Sequence, residues 1–237
     1  MPLPKMISAL VLALRQLADP AILRILAKCV TITLLLFIVL GALGWWGIDA
    51  LLALGGLDDA TFSGADGIRG LAALVAVIIG GWLLWRILAV AVLQFYANEV
   101  VEAVEARHYP AALAGAKELP WRRELVIGLR GASRSLVYNL LALPFALLLL
   151  VTGFGTAIVF IGVNAVLLGR ELTEMVWLRH AHATDAPLPL GRFERFVLGG
   201  IVALLFTVPF ANLLAPVVGA AMAAHLVHRS GVLPHAS

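Results

Sequence analysis

The chain has 237 residues, 62% of them hydrophobic and only 13% charged, with a mean hydropathy of +1.01. A soluble domain carries about 25% charged residues, so the excess apolar surface must face lipid and the chain reads as an integral membrane protein. That excludes most soluble enzymes. A net charge of only +3 argues against nucleic acid despite a pI near 9.4, and the single cysteine, Cys29, excludes an intrachain disulfide and a four-cysteine metal centre.

In chain order, residues 1–28 predict interfacial amphipathic helices. Ile7, Leu10, Val11, Leu14 and Leu17 recur at helical spacing, and Asp19-Pro20 supplies an N-cap and first-turn pair for a second helix. The first long apolar run starts at residue 29, too late and too long for a cleaved signal peptide. Residues 29–50 and 71–98 predict two spanning helices, the second interrupted only by Arg86. Residues 99–134 predict cytoplasmic helices.

The next two apolar runs are too long for one span each and too short for two. Residues 135–169 lack any charge; as one helix they would reach about 52 Å, against a hydrocarbon core of about 30 Å. Gly153 and Gly155 stand near the middle of this run, with Pro144 before them, and Pro209 and Pro216 stand within the run of hairpin two, 196–228. Each run therefore predicts a helical hairpin of two arms that partly penetrates the membrane, the two joined by a cytoplasmic loop at 170–195. Charge supports this: fifteen of the seventeen basic residues fall on one side if both hairpins enter and return. The expectation is a single all-α membrane domain with both termini cytoplasmic and an acidic external loop from Asp49 to Arg69. The hairpins also form a weak parallel repeat, residues 151–155 aligning on 208–212, with a rival offset pairing Pro144 with Pro209.

A hairpin turn inside the membrane begins its second arm with a buried helix N-terminus, which suits an anion. The candidate donors are backbone amides near Gly153 to Thr156 and near Asn212 to Leu214, helped by the side chains of Thr152, Thr156, Thr207 and Asn212, with Gly155 and Pro209 breaking the helices at the turns. The competing reading is that these breakers only bend helices. Arg86 has two readings, a functional intramembrane charge or a side chain snorkelling to the headgroups or stacking on Trp82 or Trp85. Arg170, Glu171 and Glu174 have two readings, charge pairs that hold the hairpins in register with Arg192 or Arg195 as candidate partners, or a solvated mixed-charge loop. Three further constellations are set aside: His180 with Asp185 as a solvated loop, Glu105 with Glu102 and His108 as a polar helix face, and His225 and His228 with Arg229 as a helix end at the headgroups. No metal or cofactor is expected, nor a catalytic constellation.

In the second half, Asn164-Ala165-Val166-Leu167-Leu168-Gly169-Arg170-Glu171, followed by Glu174 and Arg179-His180, resembles the segment closing the first hairpin in bacterial members of the etoposide-induced protein 2.4 family, which includes the CysZ sulfate permeases. Val208-Pro209-Phe210-Ala211-Asn212 through Pro216 to Gly219-Ala220 is similar to that family's second-hairpin turn. Thr152 departs from the proline of the sulfate branch. The resemblance implies two long transmembrane helices with two partly penetrating helix pairs in a bacterial inner membrane. It implies a multi-pass permease or channel for a small oxyanion, sulfate first, with lipid and a small inorganic anion as partners and the oligomeric state open. The alternative is a non-transporting scaffold or envelope-biogenesis factor of the same fold.

Overall fold

The computed structural model describes residues 3–54, 71, 75, 79–81, 84–85, 88, 91–92, 96–116, 120–181, 187–208 and 211–231. Every regular element among them is a helix. They run α1 (Leu3–Gln16), α2 (Pro20–Leu54), α3 (Ala97–His108), α4 (Pro110–Gly115), α5 (Trp121–Leu148), a 3-10 turn (Leu149–Thr152), α6 (Gly155–Trp177), α7 (Arg192–Thr207) and α8 (Ala211–His228). Among the described residues four stretches are long and apolar enough to cross a membrane: Pro20–Gly44, Leu125–Thr152, Gly155–Trp177 and Ala211–His228. The chain is an all-α membrane protein. It forms two compact units, one of residues 24–95 and one of residues 1–23 with 96–237.

In the smaller unit, α2 exposes Val30, Leu34, Leu35, Ile38 and Val39, the all-round apolar surface of a lipid-facing helix. The Phe37 ring meets Trp85 edge-on at 5.8 Å. The described residues between 71 and 92 are helical. Most of the acidic loop expected after Asp49, along with Trp82 and Arg86, lies outside the described residues.

The larger unit is built around α8. This helix has no polar stripe, and Ala215 through Val227 are buried beneath α1, α3, α6 and α7. An apolar helix surrounded by others is a core helix, whereas α5, with Leu140, Leu141, Leu147 and Leu148 exposed, shows its surface to lipid. Pro216 lies more than a turn inside α8 and is buried, so it shapes the core helix and is not part of the turn. α1 packs on α8 through Met6, Ala9, Ala13 and Gln16, leaving Ile7, Val11 and Leu14 of the predicted apolar stripe on the outer surface. Asp19 caps α2 as predicted, its Oδ1 accepting the Ala21 N–H at 2.9 Å.

Both hairpins form, α5 with α6 and α7 with α8. The helices of the first extend beyond the charge-free run, to 28 and 23 residues. Backbone hydrogen bonding continues through the charged feet, while the uncharged parts, 135–152 and 155–169, measure about 27 and 22 Å. The arms of the second, 16 and 18 residues, measure about 24 and 27 Å. Polar side chains along the first hairpin return to their own backbone: Ser133 Oγ donates to Leu129, Asn139 Nδ2 to Ser135, and Asn164 Nδ2 to Phe160. That leaves few polar demands on lipid.

The two hairpins are joined by backbone approach. A Cβ on Gly169 would stand 1.7 Å from the Arg195 carbonyl oxygen, and one on Gly199 would stand 2.0 Å from that of Ala165. Small residues let α6 and α7 touch main chain to main chain, the usual solution where lipid removes any hydrophobic drive between helices.

Candidate functional site

At the tip of the first hairpin, the 3-10 turn ends in Gly153, whose φ of 76° is a left-handed conformation that favours glycine. The Thr152 hydroxyl donates to the Leu149 carbonyl and accepts the Gly155 N–H at 2.8 Å, capping α6. Gly155 itself carries no positive φ. It is demanded by space, since a Cβ there would stand 2.5 Å from Thr152 Oγ1 and 2.6 Å from Leu149 Cβ. The Thr156 hydroxyl donates to the Ala146 carbonyl and so ties the two arms. Both threonines expected as anion donors therefore serve the turn. Around them Leu148, Val151 and Phe154 are strongly exposed, Val151 at 93%.

At the second tip, α7 ends at Thr207 and α8 starts at Ala211. Asn212 is buried, and its N–H bonds the Val208 carbonyl. Pro209 and Arg86 lie outside the described residues. Of the proposed anion donors, the structure brings together Thr152, Gly153, Gly155 and Thr156 at one tip, with Asn212 at the other.

The charged residues at the foot of the first hairpin are paired within it. Glu174 accepts from Arg134 Nη2 of α5 at 3.1 Å and from Arg170 Nε at 2.6 Å. This clamps α5 to α6; the register between hairpins belongs to Gly169 and Gly199. Glu171 points toward Gly131 and Arg134. Among the described residues neither Arg192 nor Arg195 forms an ion pair with Glu171 or Glu174. Asn164 lies on α6 with its amide on its own helix.

A second polar cluster lies where α3, the turn that follows α6 and the end of α8 meet, with Glu105 at its enclosed centre. Glu105, on the face of α3 shared with Val101 and Val104, has no exposed surface. Its Oε1 accepts from His180 Nε2 at 2.8 Å and from His228 Nε2 at 3.0 Å, while Oε2 stands 3.5 Å from Arg179 Nη2. Burial pushes the Glu105 carboxyl up, but hydrogen bonds from both histidines and the charges of His180 and Arg179 outweigh it and hold its pKa down to about 2. The carboxylate is therefore ionised.

Beside it, His225 is buried between Tyr109 and Gln16. Gln16 Oε1 can only accept, so His225 Nε2–H donates to it at 3.2 Å, and Nδ1 accepts from the Tyr109 hydroxyl at 2.9 Å. The Tyr109 ring also stacks on His228, with centroids 4.4 Å apart. The ligand atoms of Glu105, His180 and His228 all lie within 4.8 Å of one another, a spacing open to a metal ion.

Along the chain these residues read as three unrelated features. Glu105 differs from Glu99 and Glu102 in one legible way, because it follows Ala97 and Val101 at four-residue steps along the buried stripe of α3. A carboxylate on an apolar stripe needs buried partners. Nothing local shows that those partners are 75 and 123 residues away. Asp185 and His182 lie outside the described residues, and His108 is exposed.

The family model described as sulfate transporter CysZ/etoposide-induced protein 2.4 matches residues 9–216. No curated protein and no solved structure matches the chain.

Proposed function

The chain belongs to the family of sulfate transporter CysZ and etoposide-induced protein 2.4, and from that premise we propose that it is a multi-pass permease or channel for a small oxyanion, sulfate first. In this reading it is not an enzyme, it lies in a bacterial inner membrane with both termini cytoplasmic, and its hairpins are re-entrant. The observation that carries the proposal is the reach of the family match, which runs from α1 across the whole first hairpin and through the turn of the second. The hairpin geometry supports it, since α6 and α8 each begin at a tip and present backbone N–H groups there. With Thr152, Thr156 and the Gly155 and Asn212 N–H groups committed to the turns, anion binding would rest on the remaining first-turn amides and on the Asn212 side chain.

A second reading, a non-transporting scaffold or envelope-biogenesis factor, is favoured by the exposed apolar tip at Val151 and Phe154, which suits lipid better than a wet anion path. Sulfate flux into proteoliposomes, with phosphate and chloride as competitors, separates the two. Saturable uptake inhibited by other oxyanions supports the permease. Absence of flux, with no oxyanion bound below millimolar concentration, supports the scaffold. Topology is tested separately by impermeant thiol labelling, which should modify a cysteine at residue 60 from outside and spare one at residue 185.

A further inference from the structure

We propose that Glu105, His180 and His228 form a binding site for a first-row divalent transition cation of the zinc class, which clasps α3 to the ends of α6 and α8. This inference is independent of what the protein transports. Two neutral imidazoles and one carboxylate are a three-ligand set that Zn2+ takes up, with a fourth position left to water.

The geometry is near the required one. Donors on a tetrahedral ion with bonds of about 2.0–2.1 Å lie about 3.3–3.4 Å apart. Glu105 Oε1 stands 2.8 and 3.0 Å from the two Nε2 atoms, so each pair needs to open by only a few tenths of an ångström. The His180 and His228 rings meet edge-on at 76° with centroids 5.2 Å apart, which lets both Nε2 atoms aim at one carboxylate oxygen. On binding, each neutral ring carries its proton on Nδ1 and offers the Nε2 lone pair.

A second observation points to a ligand. Glu105 Oε2 is buried without any hydrogen bond, in a residue with no exposed surface. A buried polar atom left so calls for an ion, a water or a partner. In the proposed site the carboxylate offers Oε2 to the ion alongside Oε1, and the Arg179 charge, 3.5 Å from Oε2, is the outer support that ligating carboxylates usually have. Tyr109, stacked on His228 and hydrogen-bonded to His225, holds the third ligand's ring in place. The sites of entry are the slightly exposed His180 and His228 side chains, at 6% and 3%.

The test uses the full-length protein in detergent, purified without a histidine tag and stripped with chelator. Zn2+ is titrated by calorimetry, and Co2+ is added in parallel for its visible spectrum. One Zn2+ should bind per chain with micromolar affinity or tighter, Co2+ should give the intense bands of a tetrahedral site, and zinc should raise the melting temperature. His180→Asn and His228→Asn should each weaken binding more than 100-fold, since even losing an outer-shell partner costs about 10–100-fold. His108→Asn, exposed and outside the ligand set, should bind as the parent does. The Co2+ spectrum of the unsubstituted protein keeps the test decisive if a variant fails to fold. Zn2+ binding weaker than about 100 µM in folded protein, or binding unchanged in both histidine variants, would overturn the site and leave a purely hydrogen-bonded clasp.

Discussion

Replacing Gly169 by alanine asks directly whether the two hairpins are joined by backbone contact. The added Cβ would stand 1.7 Å from the Arg195 oxygen, 2.5 Å from its carbonyl carbon and 3.2 Å from its Cα. Carbon atoms pack at about 3.5–4.0 Å, so α7 must move away from α6 by well over an ångström. Every atom in the way is main chain, which has no rotamer to relieve the overlap. Overpacking a well-packed core costs about 1–3 kcal/mol; here the upper end or beyond is expected, which for a chain of this size is a fall of about 6–12 °C in melting temperature. Gly199→Ala should behave alike, because its Cβ would meet the Ala165 oxygen at 2.0 Å and the Gly169 nitrogen at 2.4 Å. As both changes force the same separation, the double variant should cost less than the sum. The adjacent Gly200 is the control: its Cβ would sit 3.7 Å from the Ala165 Cβ, ordinary contact, so Gly200→Ala should be neutral or gain up to about 1 kcal/mol of helix propensity. Thermal unfolding and size-exclusion profiles in detergent read all four proteins. A Gly169→Ala variant that melts with the Gly200→Ala control would refute the backbone-contact account.

Three further outcomes follow from the geometry. Glu174→Gln removes the carboxylate shared by Arg134 and Arg170 and should cost about 1.5–3 kcal/mol in unfolding free energy, whereas Glu171→Gln, without an ion pair among the described residues, should cost clearly less; equal losses would refute the clamp. The Asp19 carboxyl is held below its ordinary 3.8 by the Ala21 N–H and then by Arg107. Its contribution is thus complete above that value and fades as pH falls below it. Asp19→Ala should lose about 0.5–2 kcal/mol of capping at neutral pH and flatten the melting curve's dependence on pH below 4, while Asp19→Asn keeps the cap and loses only the acid slope. If sulfate binds at the tips, Asn212→Ala should weaken it by a few-fold to about tenfold, one neutral donor's worth. Gly155→Val, which drives a side chain into Thr152 and Leu149, should abolish binding while calorimetric unfolding of the rest persists.

Membrane class, helical content and the existence of two hairpins could be read from the chain alone. Charge-free runs of fixed length set against a bilayer's thickness leave few arrangements, and Asp19-Pro20 declares a helix start by local chemistry. Which apolar helix faces lipid could not be read. α5 and α8 are both apolar, yet α5 is exposed and α8 is the buried centre of its unit. Hydropathy measures escape from water, and a lipid tail and a neighbouring helix satisfy that equally. The same limit hid Gly169 and Gly199 among the chain's 22 glycines. It also hid the link of Glu105 to His180 and His228. Those contacts exist only because α3, α6 and α8 meet at one end, and a polar group's buried partners are set by that meeting and not by spacing along the chain.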